Sequence, residues 1–424
     1  MIKILKSYDE KQIFERAAET VDVSDIVRDI IQNVRVNGDK ALKEYSLKFD
    51  KTEVEKFEID TSLMKLAYDR TDDEFKAVLE EAARNIYEYH EAQKREGYEI
   101  NRKNGAVLGR KVIPLQRVAL YVPGGTAAYP SSVLMNCIPA KIAGVDEIVM
   151  TTPPSRDGTI RDDILAAAYV AGVDRLFCMG GAQAVAALAY GTETVPKMDK
   201  IVGPGNAFVA EAKRQVYGIV DIDMIAGPSE ILIIADNSCD PRAAAADMLS
   251  QAEHDKNAAA VLITNSEKLA EETAKEIEAQ LSVLPRREIA STSIENNGKI
   301  IITNSLNEAI EISNKLAPEH LEINTANAME LLPLVRNAGS VFLGANCPEA
   351  VGDYFSGTNH VLPTSGTARF ASALSVDDFI KTIEYSYYPR NVLLEDADKI
   401  ALFARREGLE AHARSALVRK ELDQ

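Results

Sequence analysis

The chain has 424 residues, too many for one ordinary hydrophobic core, so at least two domains are expected. It is 46% hydrophobic and 27% charged with a formal net charge of −17, the balance of a soluble globular protein, which argues against a nucleic-acid or anionic-membrane surface. No segment approaches the roughly 20 apolar residues of a membrane span, and Met1-Ile-Lys-Ile-Leu-Lys6 lacks the apolar stretch of a signal peptide, so a cytoplasmic location is expected.

The first hundred residues read as helix, with apolar side chains at helical spacing among many Lys and Glu. Near Ile113 the texture changes. Short β-branched runs now alternate with Ala-rich helical stretches, at 118–122, 147–151, 175–178 and 200–202, then beyond Ile225 at 231–235, 260–264, 299–303 and 339–343. Strands alternating with helices argue for parallel sheets with crossover helices, and four strands on either side of Ile225 suffice for two similar α/β domains. From about Asp378 the chain returns to charged helix, expected as an arm. Such an arm folds back on its own body or reaches into a partner, and the sequence does not choose between them.

Three glycine-rich turns follow predicted strands: Tyr121-Val-Pro-Gly-Gly-Thr-Ala-Ala-Tyr-Pro-Ser-Ser132, Met179-Gly-Gly-Ala-Gln183 and Val202-Gly-Pro-Gly-Asn206. At a strand–Gly–helix junction, backbone N–H groups and the helix dipole can hold phosphate. Glycine is needed there because a Cβ would block both the tight turn and the approach of ligand. None is the G-x-G-x-x-G fingerprint, and each alone is equally an ordinary βα turn. Three in succession on neighbouring strands point to a dinucleotide at the carboxyl edge of one sheet.

Four of the five histidines lie after residue 250, each with a carboxylate or amide close by: Gln251-Ala-Glu-His254, Glu319-His320, Asp353 with His360, and Glu407 with His412. Histidine is both the commonest metal ligand and the side chain suited to moving protons near neutral pH. Gln251 and His254, three apart on a predicted helix over 243–253, project from one face. With Asp353 and a further histidine they would make an oxygen–nitrogen site suited to zinc or a related divalent ion; the alternative is a solvated helix end. Glu319 and His320, adjacent after Pro318, point in different directions. They could serve as a carboxylate that activates water and an imidazole that takes a proton, or as a capped helix start. His360 sits in a polar turn-rich loop and is either functional or merely hydrogen-bonded. His90, among Glu and Lys on a predicted helix, reads as solvated. The four cysteines are scattered without C-x-x-C, which excludes a thiolate zinc knuckle and leaves them as small core residues.

Taken together these segments closely resemble the histidinol dehydrogenase family. The resemblance is carried by the first and third glycine-rich turns, Asp223-Met-Ile-Ala-Gly-Pro-Ser-Glu230, Leu249-Ser-Gln-Ala-Glu-His-Asp255, Ala317-Pro-Glu-His-Leu-Glu322, Gly352-Asp353 with Asn359-His-Val-Leu-Pro-Thr-Ser-Gly-Thr-Ala-Arg369, and Glu407-Gly-Leu-Glu-Ala-His412. These keep the family's order and spacing over nearly the whole chain; residues 385–401 are less typical.

The resemblance implies zinc ligands at Gln251, His254, Asp353 and His412, one Zn2+ per subunit, with Glu319 and His320 as the acid–base pair. It implies substrate contacts from Ser229, His320, His360 and Glu407 beside the four metal ligands, and an NAD site lined by Tyr121, Gln183 and Asn206. The implied architecture is two similar incomplete Rossmann-like domains: 31–112 with 226–365, carrying the metal and acid–base residues, and 113–225, binding NAD. A helical segment 1–30 precedes them and a helical arm 366–424 follows. The implied assembly is an intertwined homodimer in which Glu407 and His412 complete the neighbour's site. The implied activity is NAD- and zinc-dependent four-electron oxidation of L-histidinol to L-histidine through bound L-histidinaldehyde, the last step of histidine biosynthesis. Three rivals stand beside it. One is a related zinc and NAD dehydrogenase for another small alcohol, against which Glu407 and Ser229 argue. The others are a zinc hydrolase using Glu319 without a redox step, and a non-catalytic metal-binding scaffold.

Overall fold

The computed structural model describes residues 2–14, 22–124, 129–155 and 158–422. In chain order the strands are β1 (Lys3–Leu5), β2 (Glu58–Ile59), β3 (Tyr98–Asn101), β4 (Val107–Pro114), β5 (Arg117–Tyr121), β6 (Glu147–Thr152), β7 (Arg175–Cys178), β8 (Lys200–Val202), β9 (Asp221–Ile222), β10 (Glu230–Ala235), β11 (Ala259–Thr264), β12 (Lys299–Ile302), β13 (His320–Asn324), β14 (Ser340–Leu343) and β15 (Ile380–Tyr387). The chain divides into two compact units, Met1–Gln93 with Leu115–Phe379, and Lys94–Pro114 with Ile380–Gln424.

The first unit holds two six-stranded sheets. One runs β2-β7-β6-β5-β8-β9, parallel except for β2, which is antiparallel to β7. The other, β1-β12-β11-β10-β13-β14, is parallel throughout. All eight expected strand runs are present, with ends within one residue. Their β-branched continuity follows from burial on both faces, since crossover helices cover each side of a parallel sheet. Ala-rich helices such as Gly181–Tyr190 lie close on the β5 sheet because their inward side chains are small. Each fully buried Leu on this sheet, such as Leu120 on its other face, contributes about 1.5–3 kcal/mol.

Three expected boundaries are corrected. Lys3–Leu5 is no part of a helix: it is an edge strand, in register with Lys299–Ile301. Residues 31–112 do not join the β10 sheet. Helix Ser24–Tyr45 presents Val27, Ile30, Ile31, Val34 and Leu42 to the core under the β5 sheet. Helices Ser62–Arg70 and Asp73–Glu91 cover that sheet's other face through Met64, Ala67, Leu79, Ala82 and Ile86. The amphipathic stripes on these helices decide the matter, because each must face a sheet that can bury it. Finally, the arm is not wholly helical and does not begin at 366. In the second unit β15 pairs with β4 along its whole length, Ile380 opposite Pro114 to Tyr387 opposite Val107, and β4 pairs with β3. Helices Arg390–Arg406 and Glu410–Glu421 follow, packed together through Ala401, Ala404 and Ala413.

Candidate active site

Glu230 opens β10, near the middle of its sheet, and its peptide groups grip two neighbours. Its N–H donates to Oε2 of Glu319 at 2.8 Å, and its carbonyl oxygen accepts from Nδ1 of His320 at 3.0 Å. A carbonyl can only accept, so Nδ1 of His320 carries a ring proton. His320 opens β13 in register with Ile231, and its ring stacks against Phe342 with centroids 6.0 Å apart. Helix Leu306–Leu316 ends at Ala317, whose left-handed φ of +50° turns the chain sharply into Pro318. That conformation costs an alanine roughly 1–2 kcal/mol, and it presents Glu319 and His320 to the same peptide.

Both side chains are buried. Burial pushes the Glu319 carboxyl up to about 8. For His320 burial is the largest influence and pulls the other way. Glu319, Asp353 and Glu349 together outweigh it and raise the imidazole to about 10. Glu319 Oε2 lies 3.7 Å from Nδ1, and Asp353 Oδ1 lies 3.5 Å from Nε2. Asp353, on helix Glu349–Tyr354, is pulled up by burial, yet the close approach of His320 and the charges of His320, His360 and His254 hold it below the usual range. These residues therefore feel one another's charge.

His360 donates from Nδ1 to the Asp353 carbonyl at 3.0 Å, and its Nε2 meets the Ser132 hydroxyl at 3.2 Å. Burial holds its pKa down. It so links the end of the first glycine-rich segment to the helix bearing Asp353. Gln251 is buried near the end of helix Pro241–Ala252. His254 lies beyond that helix, a correction to the expected helical pair, with its N–H on the Gln251 carbonyl at 3.1 Å. The Gln251 side-chain nitrogen and His320 Nε2 are closed off from solvent without a hydrogen-bond partner. Ser229 is half-buried immediately before Glu230. Glu407 and His412 belong to the second unit, at a helix end and on the following helix, and both are exposed.

At the other sheet the ends of β5, β7 and β8 carry the three glycine-rich turns. Gly125–Ala128 of the first turn lie outside the described residues. The Tyr121 hydroxyl accepts from the Gly181 N–H at 2.9 Å, joining the first turn to the second, and burial pushes the phenol up to about 12. Gln183 is buried within the second turn. Gly203, at φ +108°, sits so close to β5 that a Cβ would lie 2.2 Å from the Tyr121 carbonyl oxygen. Asn206 caps helix Ala207–Val216, its Oδ1 accepting from Phe208 and Val209 N–H at 3.0 and 3.2 Å. That cap leaves its amide NH2 as the group to face a ligand.

A family model described as histidinol dehydrogenase matches residues 14–420. The chain belongs to the histidinol dehydrogenase family. Among curated relatives, the histidinol dehydrogenase of Clostridium acetobutylicum is 53% identical over 417 residues, covering 98% of this chain and 96% of that protein. That of Geobacillus kaustophilus is 55% identical over 395 residues, 93% of each. A crystal structure of histidinol dehydrogenase from Elizabethkingia anophelis matches with a TM-score of 0.94 at 37% identity, covering 99% of this chain and 98% of that one.

Sequence reasoning missed two groups that support this candidate site. His90 is fully buried rather than solvated. Its Nδ1 meets Gln93 Oε1 at 2.8 Å, its Nε2 lies 3.4 Å from Asn359 Nδ2, and burial lowers its pKa. Asn359 also donates to the Met135 carbonyl at 2.7 Å, so His90 braces the loop that carries His360. The signal was available: His90 continues the apolar stripe Leu79, Ala82, Ile86. The second group is acidic. Glu322 accepts from the Glu349 N–H at 2.8 Å, and Ser250 donates to the Glu349 carboxylate. Burial pushes Asp247 up to about 6, and burial with Asp247 beside it raises Glu322 well above the carboxylate range. These contacts tie together the three elements carrying Gln251, His320 and Asp353.

Proposed function

We propose that the chain is an NAD- and zinc-dependent dehydrogenase that oxidises L-histidinol to L-histidine through bound L-histidinaldehyde, the last step of histidine biosynthesis in the cytoplasm. The observation that carries the reading is the Glu230 peptide, which holds a carboxyl and an imidazole side by side in opposite hydrogen-bonding roles. Family membership supports the substrate.

The donor set fits zinc. Gln251 is buried with an unpartnered side-chain amide nitrogen, which exchanges places with the oxygen by a flip, and the set adds the imidazole of His254 and the carboxylate of Asp353, without thiolate. Among the described residues no three His, Cys, Asp or Glu side chains converge as a metal site. The first unit contributes only His254 and Asp353 of those types to the proposed set, with Gln251 an amide and His412 on the second unit. We assign His412, with Glu407, to the site of a partner subunit in a homodimer. Exposed Tyr98, Ile100, Ile383, Tyr387 and Phe403 on the second unit support a partner surface.

When bound, zinc would fix the imidazole and amine of histidinol, and NAD at the glycine-rich turns would accept hydride in each of two rounds. The chain's own groups do the rest. His320 Nε2 takes the alcohol proton, while Nδ1–H stays on the Glu230 carbonyl and steadies the imidazolium so formed. With a cation held at Asp353, that carboxylate would raise His320 less, and the imidazole would be a better-matched base. Glu319, near 8, takes a proton from the water that adds to the aldehyde carbon, and its Glu230 N–H bond holds the carboxylate in place. Glu407 accepts the substrate imidazole N–H, a charged-group hydrogen bond worth roughly 1.5–3 kcal/mol.

The deciding experiment counts NADH formed per L-histidinol consumed to completion, with and without a zinc chelator. Two NADH per substrate, abolished by chelation and restored by zinc, is the expected result. One NADH would mean the reaction ends at the aldehyde. None would favour a related dehydrogenase for another small alcohol.

A further inference from the structure

A buried ion pair stands behind the third glycine-rich turn. Lys213, on helix Ala207–Val216, and Asp223, just after β9, meet with side chains 2% and 1% exposed. Removing two charges from water is costly, and a well-packed apolar pair often stabilises a fold as much, so stability alone is a weak reason for such a pair. Its geometry supplies a better one. Lys213 Nζ donates to the Gly203 carbonyl at 2.9 Å, and Asp223 Oδ2 accepts from the Gly203 N–H at 2.7 Å. Asp223 Oδ1 also accepts from the Met224 N–H at 2.6 Å. Both polar groups of Gly203 are thus held, at a left-handed φ and in close approach to Tyr121. The turn is held on both sides by groups of the protein itself.

The same aspartate begins the segment that leads from the β5 sheet to β10. Seven residues on lies Glu230, whose peptide holds Glu319 and His320. The segment is pinned along its length. The Gly227 N–H donates to Thr364 Oγ1 at 2.7 Å, and Glu230 Oε1 accepts from the Ser365 N–H at 2.8 Å.

We infer that Lys213 and Asp223 are positioning residues that preset the cofactor turn at Gly203 and fix its placement relative to the Glu319–His320 pair. This rests on the reading that NAD binds at the glycine-rich turns. Hydride transfer needs donor and acceptor carbons in van der Waals contact, and a displacement of about 1 Å is enough to cost roughly 100-fold in rate. A turn fixed at one end of the segment and an acid–base pair fixed at the other would meet that tolerance without help from substrate.

The test uses the full-length, zinc-loaded protein and the double variant Lys213→Met/Asp223→Asn, which removes the pair without stranding a buried charge. Wild-type NADH binding is measured first by fluorescence; its absence would overturn the NAD reading itself, and this inference with it. Given wild-type binding, the variant is expected to lose roughly 10- to 100-fold in NADH affinity. Its primary isotope effect with carbinol-deuterated histidinol should rise, while zinc content and the histidinol KM stay put. A folded variant with wild-type NADH affinity and isotope effect would overturn the inference. If the variant does not fold, amide exchange in the wild-type protein decides. Slow exchange at Gly203 without NADH supports a preset turn; fast exchange that slows only on adding NADH overturns it.

Discussion

The two large sheets prepare their carboxyl ends with different materials. At β5, β7 and β8 the preparation is backbone: glycine conformations, a tyrosine hydroxyl on a Gly181 amide, and a peptide clamped at Gly203. At β10 and β13 it is side chains, a buried carboxyl, an imidazole and Asp353, all with displaced pKa values. A backbone surface carries little titratable charge and tolerates nothing in its way. A side-chain cluster tolerates changes of shape but depends on protonation. The first should fail by steric intrusion and the second by loss of a proton acceptor.

The sharpest way to break that contrast is at His320. Its conversion to Asn should lower turnover by about 10²–10⁴-fold, with zinc content unchanged by metal analysis; retained turnover at saturating NAD would remove the imidazole from the chemistry. Next comes Glu319→Gln, expected to slow the aldehyde-to-acid half by on the order of 10²-fold and the alcohol half much less. Single-turnover assays begun from histidinol and from histidinaldehyde separate the two, and equal losses would undo the division of labour. In the proposed role Glu319 acts as carboxylate, so the wild-type aldehyde half should quicken as pH climbs through about 8, and the variant should lose that rise.

On the backbone side, Gly203→Ala places a Cβ against the Tyr121 carbonyl at an unfavourable φ. An NADH affinity roughly 10- to 100-fold weaker is expected, corresponding to about 1–3 kcal/mol of backbone strain, with zinc binding and Glu319 titration untouched. If zinc affinity falls as well, the two edges are not separable in this way. The smallest effect concerns stability. The folded pKa of Glu319 is raised, so its contribution is fully present below the unfolded carboxyl pKa and is lost as pH rises through about 8. Glu319→Gln should therefore melt relatively higher than wild type at pH 9, by about 2–4 °C, with no such gain at pH 5.

How much of this was legible in sequence follows the same division. The eight β-branched runs were readable because parallel strands buried on both faces leave continuous apolar stretches. Strand β13 was not, because Glu322 and Asn324 interrupt its run, and their burial depends on partners from elsewhere in the chain. Strand β15 hid for the opposite reason: nearly every residue is exposed, so Lys381 and Glu384 resemble a charged helix. Glycine turns announce themselves, since the residue type is the device. Glu319 and His320 were visible as neighbours, but the group that orients them is a peptide, and a peptide has no signature. His90 sat on an apolar stripe and was misjudged from its charged neighbours in sequence rather than those in space. The placement of Glu407 and His412 in a shared site came from family resemblance, with no local pattern behind it.

Glu230 has a bearing on how this site could be redesigned. One rigid amide plane orients both the imidazole proposed to open the reaction and the carboxyl proposed to finish it. Rotating that plane to improve one bond tilts the other, so backbone adjustment cannot tune the two oxidations separately. A version that halts at the aldehyde would have to come from changing a side chain. Selection acting on loops or packing around β10 would move both half-reactions up or down together, keeping their rates in step as the surrounding sequence drifts.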